Sequence, residues 1–500
     1  MTQNGRIKRF ALILSIVLLL AAVMSMHAEA VDVEAENLSP KCKYEGDFSV
    51  HADRLRDDDL DSAQRVNKGK TLSISWKDNV PVASVFLSFY YAPVAYTVMQ
   101  FDGSGNKLSE DPGILLYNNL IETLPETRKV SIRAEEDNCA FCSLYAYGEG
   151  TVQDYHPFRP TIEKADFLTF AMHPDDEVLF LGAVYPIYEA QRGLSGLSII
   201  MSTKLPEKNQ RLRRQEDMNG AWTLGMKTQP VFGGFPDIPQ DYYSKFKHTF
   251  TVDDVKRYVA TQVRKYRPEV VVTQDVNGEY GHWQHKVLSE GVQAGVKAAA
   301  DPNYQPKGYE KLEPWEVKKL YIHLYSQNKL TLDVDAPITE LGGKTAFEAA
   351  TEAYQWHKSQ TKNNNHFVST TEYSIAEFGL AYTTVGEDTA GVNDMFEHVD
   401  PMTLSVTPTP EPTPEPTDTP APTDTPEPTA EPTEVPTEEP TAPPTDTPAP
   451  VETPVPQPTE APAPQEPSGF SDMWILLIGG GLLLLLIVLL VALLIVRKRR

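Results

Sequence analysis

Residues 166–177 (DFLTFAMHPDDE) decide the fold: an apolar run ends in a histidine, a proline and three acids. The same change from an apolar run to a helical pattern repeats along the chain. The predicted strands are 166–172, 197–202, 269–274 and 319–325, and the predicted helices are 176–193, 209–224, 251–266 and 282–300. Strands that alternate with helices require crossover connections. We therefore predict a Rossmann-like α/β domain over residues 160–400, with a mostly parallel sheet covered by helices on both faces.

Residues 31–155 have a different texture, with short alternating segments such as 71–76 (TLSISW) separated by turn residues. This pattern is typical of a small antiparallel β-sandwich. The acidic stretch 57–61, the aromatic run 86–91 and the closing run 141–148 resemble a discoidin-like, galactose-binding-like module. The resemblance implies a carbohydrate-binding candidate, whose acidic stretch is either a Ca²⁺ loop or a solvated turn.

Both ends of the chain are predicted to lie outside the folded part. Residues 1–30 combine a basic start, an apolar run and a small-residue exit, which indicates a secretory signal peptide, with an uncleaved anchor as the alternative. Residues 405–470 are rich in Pro, Thr and Glu, which predicts a disordered stalk. The apolar run 473–496 is long enough to span a bilayer, and the basic tail 497–500 places the C-terminus in the cytoplasm. We expect a single-pass cell-membrane protein with extracytoplasmic domains.

The net charge and the three cysteines bear on the partners of the protein and on its disulfide bonds. The stalk supplies over half of the net charge of −24, and no basic stripe points to a nucleic-acid partner. Cys42, Cys139 and Cys142 all precede the predicted α/β domain. In an oxidising compartment Cys42 would pair with one of the other two; three free thiols are the alternative.

Two clusters of polar residues follow predicted strands of the α/β region. His173, Asp175 and Asp176 follow the first strand, and His282 and His285 follow the third. The carboxyl ends of parallel strands carry the sites of such folds, so we expect the clusters to meet. Imidazole and carboxylate both bind Zn²⁺, and three protein ligands with one open position are typical of a catalytic zinc site. Two adjacent aspartates allow one to bind metal while the other serves as a base.

The order of these motifs resembles the PIG-L/LmbE-like N-acetylglucosaminyl deacetylases. His-Pro-Asp-Asp-Glu at 173–177 and Gly-Glu-Tyr-Gly-His-x-x-His at 278–285 carry the resemblance. Three further pieces agree with it, at 213–216 with 221 and 224–225, at 234–237, and at 357–360. The resemblance extends over about residues 165–380.

The resemblance implies a reaction and roles for eight residues. The reaction would be zinc-dependent hydrolysis, in which a metal-bound hydroxide attacks the acetamide of an N-acetylglucosamine-type sugar; another divalent metal such as Fe²⁺ is an alternative. The implied metal ligands are His173, Asp176 and His285. The implied catalytic residues are Asp175 as general base, Tyr280 as oxyanion donor and His282 as the acid that protonates the leaving amine. The implied substrate contacts are Arg213 and Asp237, for which a structural ion pair is the alternative.

One position departs from the family pattern, because Gln284 stands where an acid is common. This leaves the protonation state of His282 open. The neighbouring Trp283 either offers its ring face to a sugar or packs in the core. We expect the substrate to be an N-acetylated glycan or glycoconjugate at the cell surface. The alternatives are a glycan-binding surface protein without activity and a metal-dependent esterase or amidase acting on another acylated substrate.

Overall fold

A computed structural model describes part of the chain. The described residues are 33–204, 207–238, 244, 248, 250–362 and 366–401. The predicted signal peptide, stalk, membrane span and basic tail lie outside these residues. Within them, no helix combines the length and the apolar character needed to cross a bilayer.

The N-terminal region of the described chain contains two antiparallel sheets. Their nine strands are β1 (Lys43–Gly46), β2 (Gln64–Val66), β3 (Thr71–Ser75), β4 (Ser84–Phe89), β5 (Tyr96–Phe101), β6 (Lys107–Pro112), β7 (Asn118–Glu122), β8 (Lys129–Ala134) and β9 (Cys139–Tyr147). One sheet has the order β1-β3-β8-β5-β6 and the other β2-β9-β4-β7. Leu72 and Ile132 of the first share a buried cluster with Leu87 and Phe141 of the second, so the sheets face each other across a core. The predicted antiparallel region is confirmed.

The cysteines and the acidic stretch of this region each have defined surroundings. Cys42, Cys139 and Cys142 are free thiols, so the alternative without a disulfide holds. In the acidic stretch, Asp58 accepts a hydrogen bond from the Tyr145 hydroxyl at 2.7 Å. The sandwich therefore depends on its apolar core and hydrogen bonds for stability.

The second region is built around a seven-stranded sheet. Its strands are β10 (Phe167–Ala171), β11 (Gly196–Lys204), β12 (Val231–Pro236), β13 (Val270–Thr273), β14 (Lys319–His323), β15 (Lys329–Thr331) and β16 (Glu377–Thr383). The order is β12-β11-β10-β13-β14-β16-β15. The first five strands in that order are parallel, while β16 and β15 pair antiparallel. The predicted mostly parallel α/β sheet is confirmed, but the antiparallel edge was not predicted.

Helices cover both faces of this sheet. The α-helices of the described residues are α1 (Asp176–Leu179), α2 (Glu207–Thr223), α3 (Val252–Tyr266), α4 (Trp283–Ala300), α5 (Ala346–Tyr354) and α6 (Lys358–Thr361). Phe167 of β10 packs in one cluster with residues of α2 and α5, and the adjacent Leu168 packs in another with residues of α3 and α4. The predicted helix 176–193 is interrupted: α1 ends at Leu179, and a π-helical turn covers Pro186–Gln191. Pro186 has no N–H to donate, so it starts a new segment.

The order of the strands places the site. From β10 the chain first adds β11 and β12 on one side, and then returns to add β13 on the other. Ligands of open α/β sheets bind at such a switch point, outside the carboxyl ends of the strands. The segments that follow β10 and β13 therefore lie side by side.

The sandwich packs against α2. Arg214 of α2 donates to the carbonyl oxygen of Phe89 at 2.7 Å, and its guanidinium lies 4.0 Å from the centre of the Tyr117 ring. Arg211 forms an ion pair with Asp61 of the acidic stretch. The sandwich thus holds the helix that carries Arg213.

Candidate active site

The first loop, residues 172–177, joins β10 to α1. The Oδ2 atom of Asp176 accepts the backbone N–H of His173 at 2.8 Å and lies 3.0 Å from its Nδ1 atom. Asp175 has a φ of 127°, which side chains rarely adopt. Its N–H donates to Glu177 at 3.0 Å, which helps to hold this strained conformation. The turn directs two adjacent carboxylates to different partners.

The second loop, residues 274–285, follows β13. The Oε1 atom of Gln274 accepts the N–H of Met172 at 2.8 Å and so ties the two loops together. The fully buried Glu279 accepts a hydrogen bond from Nδ1 of His285, with the two atoms 2.7 Å apart. Gly278 has a φ of 66°, and a Cβ there would lie 2.4 Å from the carbonyl oxygen of His282. Glycine is therefore required for this turn.

The two loops bring the three predicted metal ligands together. Nε2 of His285 lies 3.1 Å from Nδ1 of His173 and 3.2 Å from Oδ2 of Asp176. The third side of this triangle, between His173 and Asp176, measures 3.0 Å. Ligands bound to one cation at about 2.0–2.2 Å are separated by similar distances. The geometry therefore fits a single divalent cation.

Hydrogen bonding assigns the free ring nitrogen of His285. Its Nδ1 faces the Glu279 carboxylate, so Nδ1 carries the hydrogen and a neutral ring presents a lone pair at Nε2. A carboxylate that accepts from the second nitrogen is the usual partner of a metal-binding histidine. Two nitrogens and a carboxylate oxygen this close together repel one another unless a hydrogen or a cation lies among them. The donor set therefore fits a metal ion.

The pKa shifts at these residues have the same cause. Burial lowers the pKa of His285, but the Asp176 and Glu279 carboxylates outweigh burial and raise it to about 10. Burial also lowers the pKa of His173, and Asp237 and Asp176 together reverse this and raise it. For Asp176, burial raises the pKa, yet His285 and His173 hold it well below its usual range. The pocket favours positive charge, carried by a proton or by a cation.

Arg213 lies between the two other predicted acids. Its guanidinium donates to Asp175 at 2.9 Å and to Asp237 at 3.0 Å, and also to the carbonyl oxygen of Pro174. Burial raises the pKa of Asp175 to about 7, although the Arg213 charge opposes that rise. The ion-pair alternative for Arg213 and Asp237 describes this arrangement, and Asp175 has a pKa suited to a base near neutral pH.

His282 lies beside the predicted ligands. Its ring centre is 4.9 Å from that of His173 and 4.6 Å from that of His285, and the ligand atoms of the three rings lie within 4.8 Å of one another. Burial lowers the pKa of His282 to about 2, and the two other histidines add to this. Its buried Nδ1 has no hydrogen-bond partner among the described residues. His282 is therefore neutral in this arrangement, and an acid role requires a proton delivered during the reaction.

Tyr280 stands at the edge of the site. Its side chain is 39% exposed, and its ring lies 5.5 Å from that of His285 and 4.5 Å from that of His366, on which it stacks. Burial raises the pKa of Tyr280, and the nearby Asp176 and Asp175 carboxylates raise it further, so its hydroxyl remains protonated. It is available as a hydrogen-bond donor.

Gln284 and Trp283 have contacts that the sequence left open. Oε1 of Gln284 accepts the N–H of Ile238 at 2.9 Å and lies 3.4 Å from Nε2 of His173. The side chain therefore braces a neighbouring loop against the site. Trp283 is buried in an apolar cluster, 6.0 Å from the ring of Phe250, so the packing alternative holds.

Several side chains with clear contacts in the site were not predicted. They are Glu177, Gln274, Glu279, His323 and His366. A signal existed for Glu279, because it lies inside the second motif. His366 and His323 are isolated in the sequence, so they gave no signal.

A comparison of sequences now identifies the region that holds both loops. Residues 168–296 match the sequence profile of a family described as PIG-L: GlcNAc-PI de-N-acetylase. Residues 168–296 form a PIG-L domain. The predicted resemblance is confirmed over this span.

Other proteins are similar to parts of this chain. A 1D-myo-inositol 2-acetamido-2-deoxy-alpha-D-glucopyranoside deacetylase of Geodermatophilus obscurus is 35% identical over 207 residues, which cover 35% of this chain and 66% of that protein. The chain thus spans slightly less than two thirds of that relative. The structure of N,N'-diacetylchitobiose deacetylase from Pyrococcus horikoshii matches 39% of this chain and 71% of its own, with 19% identity and a TM-score of 0.31.

The sandwich has structural neighbours of its own. CpGH89CBM32-4 from Clostridium perfringens, solved in complex with GlcNAc-α-1,4-galactose, matches 24% of this chain and 99% of its own, with 15% identity and a TM-score of 0.20. At such TM-scores the structural likenesses carry no argument about function.

Proposed function

We propose that this protein is a metal-dependent hydrolase that removes acetyl groups from N-acetylated amino sugars. One observation carries the proposal: His173, Asp176 and His285 converge within 3.2 Å of one another, and Asp175, held by Arg213, lies next to them. The PIG-L match and the name of the relative supply the substrate class, a GlcNAc-type sugar.

The three converging side chains would hold the cation. Zn²⁺ suits two imidazoles and one carboxylate, and Fe²⁺ is an alternative with the same ligands. When bound, such a cation lowers the pKa of a water molecule and polarises the amide carbonyl. The chain itself supplies the orientation of these ligands, through Glu279 on one side and the N–H of His173 on the other.

Asp175 would handle the proton. A carboxylate with a pKa near 7 takes a proton from the attacking water and also returns one readily at neutral pH. The Arg213 guanidinium holds the carboxylate in place and keeps part of the population ionised. His282, which is neutral at rest, would accept a proton during the reaction and pass it to the leaving amine.

Tyr280 would stabilise the charge that develops on the carbonyl oxygen. Its hydroxyl is protonated and its ring is partly exposed at the site. A well-placed donor of this kind contributes about 3–4 kcal/mol to the transition state. Arg213 and Asp237 remain proposed substrate contacts, now with the condition that substrate would compete with their mutual ion pair.

The setting of the enzyme is also a proposal. The apolar ends and the stalk support an exported protein, anchored in the cell membrane by residues 473–496, whose domains act outside the cytoplasm. In that setting the substrate would be a cell-surface or extracellular glycan. The sandwich would then be a carbohydrate-binding module attached to the PIG-L domain.

The test measures acetate released by the full-length protein in detergent. The substrates are N,N'-diacetylchitobiose, a GlcNAc–inositol glycoside and a matched O-acetylated sugar, each tested after chelation and after addition of Zn²⁺ or Fe²⁺. We expect release from the N-acetylated sugars, its loss on chelation and its return with metal. Release from the O-acetylated sugar alone would support an esterase, and glycan binding without any release would support a binding protein.

A further inference from the structure

His323 ends β14, beyond the residues that match the family profile. Its side chain is fully buried, with the ring of Phe180 at 5.8 Å and that of Phe378 at 5.6 Å. A histidine buried between apolar rings is costly unless its nitrogens are hydrogen-bonded. Both nitrogens of His323 have partners.

The two partners of His323 are both acceptors. Nδ1 lies 2.7 Å from Oε1 of Glu279, and Nε2 lies 3.0 Å from the carbonyl oxygen of Ser374. A carbonyl oxygen has no hydrogen to donate, so Nε2 must carry one. The Glu279 oxygen already accepts the N–H of Asp275 at 3.0 Å. Each nitrogen of His323 therefore faces an oxygen that accepts hydrogen bonds.

Glu279 thus lies between two imidazoles. One oxygen accepts from Nδ1 of His285 and the other from Nδ1 of His323, each at 2.7 Å. The Nε2 amide of Gln274 also lies 3.3 Å from the oxygen that accepts from His285. With donors on both oxygens, the plane of the carboxylate is fixed, and the direction of the His285 ring is fixed with it.

We propose that His323 is a positioning residue of the candidate metal site: it fixes Glu279, which in turn fixes the tautomer and the ring plane of His285. The inference rests on the proposed function, since it assumes that His285 binds a divalent cation. Without His323, one oxygen of Glu279 loses its side-chain donor, and the carboxylate can rotate away from His285. The His285 ring would then have to become ordered when the metal binds.

The experiment compares His323→Leu with His323→Asn in the full-length protein. Leucine removes both donors, whereas the asparagine amide keeps a donor near the position of Nδ1. The dissociation constant for Zn²⁺ is measured by competition with a chromophoric chelator, and Co²⁺ absorption reports the ligand geometry. Loss of a partner of a metal ligand typically weakens metal binding by about 10–100-fold, which is the effect expected for leucine. Asparagine should restore most of the affinity and the Co²⁺ spectrum.

A matched control separates positioning from folding. His156 pairs with Asn219 at 3.1 Å and stacks on Trp222, so His156→Leu also removes a packed imidazole. It should lower the melting temperature and leave the Zn²⁺ dissociation constant unchanged. If His323→Leu likewise lowers the melting temperature but binds Zn²⁺ as the unchanged protein does, the positioning role is wrong while the proposed function stands. If the unchanged protein binds neither Zn²⁺ nor Co²⁺, the proposed function fails and the role of His323 fails with it.

Discussion

The two loops of the candidate site are supported in different ways. The first loop is held by Arg213 of α2, whose neighbours Arg211 and Arg214 contact the sandwich. The second loop is held by its own Glu279, whose carboxylate also accepts a hydrogen bond from His323 at the end of β14. An ionic brace supports the loop that would carry the base, and a fixed carboxylate supports the proposed ligand His285 in the other loop.

This difference separates two properties of the site. Changes around the first loop should alter turnover and its pH dependence, because Arg213 touches Asp175 directly. Changes around the second loop should alter metal affinity, because Glu279 touches His285. Three substitutions near the first loop test whether this separation is real.

The largest effect is expected from Asp175→Asn. An amide cannot take a proton from water, so kcat should fall by about 10²–10⁴-fold, the usual contribution of a general base. Since Asp175 is outside the triangle of ligands, the bound metal should remain, as measured by elemental analysis. Asp301→Asn, on the exposed surface, is the matched control and should retain full activity. A near-normal kcat in the Asp175→Asn variant would show that Asp175 is not the general base. The two loops would then not differ in the way described.

The next effect is expected from Arg213→Met. Removing one partner of a buried ion pair leaves Asp175 and Asp237 uncompensated, which costs about 3–5 kcal/mol of folding stability. Arg213 lowers the pKa of Asp175, so its loss should raise that pKa and move the rising limb of the rate–pH profile to higher pH. Lysine at this position keeps a charge but cannot make all three contacts, and should give an intermediate result.

Thermal unfolding and the rate–pH profile measure both consequences. The control is Arg192→Met, which removes the partly exposed pair with Asp394 and should cost no more than about 1 kcal/mol. An unchanged rate–pH profile in the Arg213 variant would mean that the charge of Arg213 does not act on the base. The ionic brace would then be structural only.

Much of this site was predictable because its signals are local. The apolar runs of β10 and β13 and the polar residues after them lie in continuous sequence, and the α/β rule places their ends together. The two clusters could be selected for that reason, and the family resemblance then implied His173, Asp176 and His285 as the metal ligands. The spacing of residues within one loop also predicted that Asp175 and Asp176 would face different partners.

The remaining features depend on contacts that leave no local signal. The antiparallel strand β16, which lies between β14 and the edge strand β15, is a short apolar run without a distinctive period. His323 is a single histidine at the end of a strand, and its partner Glu279 lies 44 residues away. The contact of Arg213 with Asp175 was not predicted either, because an arginine in a helix shows its charge but not its direction. Pro186, by contrast, was a visible reason to shorten the predicted helix.

The smallest effect is expected where the sandwich meets α2. Arg214→Met removes the donor to the Phe89 carbonyl and the charge over the Tyr117 ring, which should cost about 1–3 kcal/mol. The control is Arg128→Met, which breaks an exposed pair with Asp78 inside the sandwich and should have little effect.

This last variant asks whether the sandwich supports the first loop or is only attached to it. If the sandwich supports the first loop through α2, Arg214→Met should lower kcat a few-fold. Arg213 is adjacent to Arg214 in the helix, and a less ordered α2 would position Asp175 less well. The Zn²⁺ dissociation constant should stay unchanged, because the hydrogen bonds that join His285, Glu279 and His323 do not involve α2. A fall in melting temperature with unchanged kcat would show that the PIG-L domain orders its first loop without the sandwich. A fall in metal affinity instead would mean that the two loops share one support, because a change on one side would then reach the ligands on the other.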